Sequence, residues 1–104
     1  MTKNERKEHS DILYKTVLAL ESVEELKRIF QDLCTVAELK AMEQRFEVAL
    51  LLDEGMIYND ILERTGASSA TISRVNRALH YGSDGYQQVL PRIRSMWEEE
   101  KKAQ

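Results

Sequence analysis

Residues 58–79 read YNDILERTGASSATISRVNRAL, and this stretch decides the fold. It predicts a short helix, a tight turn and a second helix. Ile61 and Leu62 lie on the first helix. Gly66, after Thr65, can take the left-handed backbone conformation that ends it. Ser68 can cap the next helix by accepting one of its free amides. Over residues 69–79, Ile72, Val75 and Leu79 recur at helical spacing, which packs that face on the first helix. Ser69, Ala70, Ser73, Arg74 and Arg77 fall on the other face.

That outer face is short, polar and positive. Small residues near the helix start let it enter a major groove without clashing. The serines there can bond base edges or phosphates. Arg74 and Arg77 can reach phosphate or grip guanine with two bonds. A helix-turn-helix docks on DNA in this way, presenting the first residues of its second helix to the bases. The expected DNA-contacting set is Ser68, Ser69, Ala70, Thr71, Ser73, Arg74 and Arg77. By spacing alone, a solvated face on an ordinary helical hairpin fits as well.

Upstream, Thr35 with Glu38 three residues on forms a capping box. It opens a long helix to about Glu54, with Gly55 as its stop. Leu39, Met42 and Phe46 keep the helical period. Residues 48–52, Val-Ala-Leu-Leu-Leu, are apolar almost all round, and such a helix must be covered on every side. A partner chain is the simple remedy; a compact monomer core would also serve. Ser22 and Glu25 form a second box, with Val23, Leu26, Ile29, Phe30 and Leu33 behind it. Ile12, Leu13, Val17 and Leu20 make an earlier stripe. Residues 1–10 are polar and predict a flexible tail. Downstream, Pro91 suits the first turn of a last helix. Met96 and Trp97 predict core or dimer contacts, and residues 98–102 a solvated helix end.

The chain has 104 residues, 42% apolar and 32% charged, which predicts a single globular domain over residues 11–104. Four Gly, one Pro and long runs of good helix formers point to an all-α fold. Cys34 is the only cysteine, so no internal disulfide forms, and its apolar neighbours predict a buried, inert thiol. No apolar run reaches the ~20 residues of a membrane span. The polar start predicts no signal peptide, hence a cytoplasmic protein. His9 and His80 have no companions at metal-ligand spacing. A glycine-rich phosphate loop and a nucleophile–base pair are both missing from the pattern. The sequence therefore predicts no enzyme, no metal and no cofactor.

Net charge is −3, which speaks mildly against nucleic-acid binding. Within residues 57–82, however, Arg64, Arg74 and Arg77 outweigh Asp60 and Glu63. The expected DNA-reading end is thus the less acidic end, and pairing two copies would double its phosphate contacts.

The stretch Gly66-Ala67-Ser68-Ser69-Ala70-Thr71-Ile72-Ser73-Arg74 resembles the helix-turn-helix of the bacterial tryptophan repressor. Thr35-Val36-Ala37-Glu38-Leu39-Lys40-Ala41-Met42 and Arg45 resemble the start of that repressor's long central helix, and the spacing between the blocks agrees. Over roughly residues 11–100 the chain is similar to the YerC/YecD-type subgroup of the Trp repressor superfamily. The resemblance implies a six-helix protomer interlocked with its twin as a homodimer. It also implies an effector pocket at Thr35, Arg45, Thr71, Arg74, Val75 and Ala78. Two positions depart from the family. Val75 stands where the repressor has a glycine beside the indole, and Ala78 where a serine binds the ligand's amino group. Both departures argue against tryptophan as the effector, and whether a smaller effector binds stays open. Arg45 could equally form a surface ion pair with a nearby glutamate.

Two functions follow as expectations. One is a dimeric transcriptional regulator, acting as a repressor by occupying double-stranded DNA at a two-fold operator. The other is a protein-interaction module that kept the helix-turn-helix fold without reading specific DNA.

Overall fold

Helix boundaries in this chain are set largely by caps that its sequence spells out. A computed structural model describes the backbone of residues 3–103 and the side chains of residues 11–103. It contains six helices: α1 (Lys3–Ala19), α2 (Val23–Leu33), α3 (Val36–Asp53), α4 (Tyr58–Thr65), α5 (Ser69–Tyr81) and α6 (Gly85–Ala103). The expected flexible tail, residues 1–10, has its side chains outside the described set; the helical backbone of α1 begins at Lys3.

Both predicted capping boxes open helices. At α3 the box is reciprocal: the Glu38 amide donates to Thr35 Oγ1 at 3.1 Å, and the Thr35 amide donates to Glu38 Oε1 at 2.8 Å. At α2 the Glu25 amide donates to Ser22 Oγ at 3.1 Å. The far end of α3 closes on Gly55, at φ +91°. The Met56 amide reaches back to the Leu51 carbonyl and the Gly55 amide to that of Leu52. This pair of bonds satisfies carbonyls that a helix end otherwise leaves free.

The chain divides into two units, residues 1–39 and 40–104. In the second unit Val48, Ala49, Leu51, Ile61, Ala67, Ile72 and Val75 form a buried core, with Leu52, Met56, Leu62, Tyr86 and Trp97 packed against it. Leu50, Leu79 and Leu90 form an adjoining cluster. Residues 48–52, all apolar, are therefore covered within one chain by α4, α5 and α6. The inference of a partner chain from that stretch does not hold, because α6 supplies the missing side.

The first unit differs. None of its described side chains is fully buried. Ile12, Leu18, Val23, Leu33 and Val36 are between 56% and 88% exposed. Large apolar side chains left in water at this density are unusual for a single folded chain. Cys34, at the C-cap of α2, is half-buried rather than buried.

The last helix starts earlier than Pro91 suggests. Asp84 precedes it at φ +68°, and the Gln88 amide closes the first turn on the Asp84 carbonyl. Pro91 thus lies inside α6, not in its first turn, and leaves the Gln87 carbonyl without its usual amide. The corner between α5 and α6 is tight. A Cβ on Gly82 would lie 2.4 Å from the Ala78 carbonyl oxygen.

Candidate nucleic-acid interface

The turn between α4 and α5 is built by four consecutive residues. Thr65 Oγ1 donates to the Ile61 carbonyl at 2.7 Å and accepts from the Ala67 amide at 3.1 Å. Gly66 sits at φ 72°, ψ 4°, and its amide reaches the Leu62 carbonyl. Ala67 is buried in the core. Ser68 caps α5: its Oγ accepts from the Thr71 amide at 3.1 Å and donates to Thr71 Oγ1 at 3.0 Å. Three residues, 66–68, thus join the two helices.

Beyond the cap, Ile72, Val75 and Leu79 bury one side of α5 as their spacing predicts. Ser69, Ala70, Ser73, Arg74 and Arg77 are all exposed. Among the described residues neither Arg74 nor Arg77 has a carboxylate at ion-pair distance. Two free guanidiniums and two small hydroxyls therefore line the outer face. Ser68 is exposed and Thr71 half-buried, with their hydroxyls bonded to each other. At the far end His80 Nδ1 lies 2.9 Å from the Asn76 carbonyl.

The residues of the implied effector pocket fall in different settings. Thr35 lies in the first unit, its hydroxyl occupied by the Glu38 amide. Arg45 is half-buried on α3, and the alternative ion pair with a glutamate is not formed among the described residues. Arg74 is exposed, whereas Val75 is 2% exposed and part of the core. Ala78 lines a hollow of about 330 Å³, with Phe46, Gly82, Ser83, Gly85, Tyr86 and Val89. The Phe46 and Tyr86 rings there pack at 6.1 Å, tilted by 40°.

Two glutamines hold the motif without any periodic signal. Gln44 Nε2 on α3 donates to the Thr65 carbonyl at 3.2 Å. Gln87 Nε2 on α6 donates to the Leu79 carbonyl at 2.7 Å, near the end of α5. Trp97, expected in the core or a dimer contact, packs on both core clusters, while Met96 beside it is exposed.

The family model described as Trp repressor protein matches residues 8–94. The uncharacterized protein YerC of Bacillus subtilis (strain 168) is 49% identical over 84 residues, 81% of each chain. The crystal structure of a TrpR-like protein from Eubacterium eligens ATCC 27750 superposes with a TM-score of 0.80 at 48% identity, covering 83% of this chain and 89% of that one. A candidate Trp repressor from Staphylococcus aureus gives 0.81 at 40% identity, covering 90% and 96%. The helix-turn-helix, its caps and these likenesses agree: the chain belongs to the Trp repressor family, as a TrpR-like protein of the YerC type.

Proposed function

We propose that the chain is a sequence-specific DNA-binding regulator, a repressor acting by occupancy. Its family consists of transcription regulators rather than enzymes. The observation that carries the reading is the division of α5. One side is buried as Ile72, Val75 and Leu79, while Ser69, Ser73, Arg74 and Arg77 stand free on the other. Free cations and small polar groups at the start of an exposed helix suit a major groove. The protein would work in the cytoplasm, on double-stranded DNA.

The active form in this reading is a homodimer interlocked through the N-terminal helices. Support comes from the first unit, where several large apolar side chains, Leu18 and Val36 among them, stand exposed. A second copy would cover them and pair two recognition helices across a two-fold site.

Tryptophan is not the effector in this reading. Val75 fills core space rather than lining an opening, and Ala78 offers no hydroxyl. Either DNA is bound without a co-repressor, or a smaller ligand is held by Arg45, Thr71 and Arg74.

Net acidity favours the second reading, a protein-interaction module. Electrophoretic shift with genomic fragments, repeated across salt concentrations, tests both. A regulator retards particular fragments and loses affinity steeply with salt. Absence of any shift at low salt would leave the interaction module standing.

A further inference from the structure

We propose that Gln44 is a positioning residue of the helix-turn-helix, and that its bond to Thr65 helps set the angle at which the start of α5 is presented. The proposal rests on the DNA-reading function above. Helix α4 has eight residues and one fully buried side chain, Ile61. Ile61 and the half-buried Leu62 next to it fix where so short a helix sits, but two adjacent apolar anchors resist its rolling weakly. Something polar must hold its last turn. The Thr65 carbonyl is one of those a helix leaves without an internal donor. The residue four places on, Ser69, already starts another helix, so the ladder ends here. Gln44 fills that vacancy from α3, one turn before the buried Val48.

Thr65 passes this constraint on. Its hydroxyl ties back to Ile61 and forward to the Ala67 amide. Ala67 is buried, and the next residue is the Ser68 cap. From Gln44 to the first turn of α5 the links are one hydrogen bond and three residues of bonded chain. Base-edge bonds need α5 held at one angle, whereas phosphate contacts by flexible arginines tolerate roll. Loosening the link therefore lowers discrimination between sequences and leaves general DNA affinity nearly intact.

The test is Gln44→Leu, which keeps the helix and the side-chain bulk but removes the donor. Its probes are a duplex selected from a random library by the unaltered chain, and a non-specific alternating copolymer. Affinity for the selected duplex is expected to fall about three- to tenfold, the worth of one hydrogen bond, with copolymer affinity unchanged. Gln44→Glu, of the same size but without a donor when ionised, is expected to do the same. Amide exchange of Ala67 is read without DNA and should accelerate in both variants. A proportional loss on both probes, or an unchanged ratio, would overturn the proposal. So would unchanged exchange at Ala67. If exchange accelerates in a chain whose unaltered form selects no duplex, the bond stands as a determinant of α5 position and the DNA reading falls.

Discussion

Glu54, just past the end of α3, accepts the indole N–H of Trp97 on α6 at 2.9 Å. The same carboxylate holds the Lys101 ammonium, which lies 5.7 Å from the centre of the Trp97 ring. Arg94 and Asp53 bond alongside at 2.6 Å. Trp97→Phe removes the donor and part of a ring that packs on both core clusters, with an expected loss of at least about 1 kcal/mol in chemical denaturation. The bond to Glu54 raises the Lys101 pKa, ahead of a smaller contribution from Glu98. A lysine raised in the folded state contributes stability below its unfolded pKa and loses it as pH rises through the folded value. Lys101→Met should therefore cost stability at neutral pH and differ progressively less from the unaltered chain in strong alkali.

The capping box of α3 works in the opposite pH window. The Thr35 amide, and after it the Thr35 hydroxyl, hold the Glu38 carboxyl below its usual range. A depressed carboxyl contributes stability above its unfolded pKa and loses it as pH falls through the folded value. Glu38→Gln is expected to melt below the unaltered chain at neutral pH, with the gap closing in acid. Thr35→Ala should cost about 1 kcal/mol at neutral pH, the usual worth of an N-cap. Thermal unfolding across an acid pH series measures both.

Leu18 is 88% exposed in the single chain, so Leu18→Asp should leave the protomer's own packing untouched. If a second copy covers the first unit, the variant dissociates. Light scattering at micromolar concentration is expected to read twice 12.1 kDa for the unaltered chain and a smaller mass for the variant. A monomeric unaltered chain would remove the interlocked dimer.

Arg77 stands exposed beyond Arg74, without a carboxylate partner among the described residues. Arg77→Ala should weaken DNA binding nearly uniformly across sequences and make the salt slope shallower by about 1, as for one lost phosphate contact. Unchanged binding would mean that this end of α5 is merely solvated.

Calorimetry with tryptophan is expected to give no micromolar binding. Seating an indole against Val75 overfills the site, typically at about 1–3 kcal/mol. A missing bond to the charged amino group adds roughly 1.5–3 kcal/mol. A micromolar dissociation constant would mean that the pocket rearranges. Restoring Val75→Gly is not a clean converse, since it also opens a hole in the core.

Local chemistry made most of this fold legible. Ser22, Thr35 with Glu38, Gly55, Gly66 and Ser68 are signals complete within a few residues, and each marks the helix end it predicted. The buried face of α5 follows from spacing alone. What escaped depends on chain brought back from afar. The start of α6 rests on Asp84 with a positive φ, which a non-glycine residue rarely advertises, and Pro91 was the more visible but misleading mark. Coverage of residues 48–52 needed the return of α6, which periodicity does not locate. Gln44 carries no sign in its neighbours that it reaches a carbonyl 21 residues away. Of the candidate interface, the exposed face was readable; the way it is held was not.

Three of the four glycines of this chain should respond to saturation mutagenesis in two distinct ways. Around Gly55 and Gly66 a Cβ would meet open space, so the obstacle is backbone conformation. Asparagine and aspartate, which visit that conformation most readily, should survive there at reduced stability. At Gly82 φ is −85°, ordinary for any residue, and the obstacle is the Ala78 carbonyl itself. No rotamer relieves a clash at Cβ, so alanine should fare almost as badly as tryptophan. A graded tolerance profile at two positions and a flat, empty one at the third would let a sequencing experiment locate the α5–α6 corner without a structure.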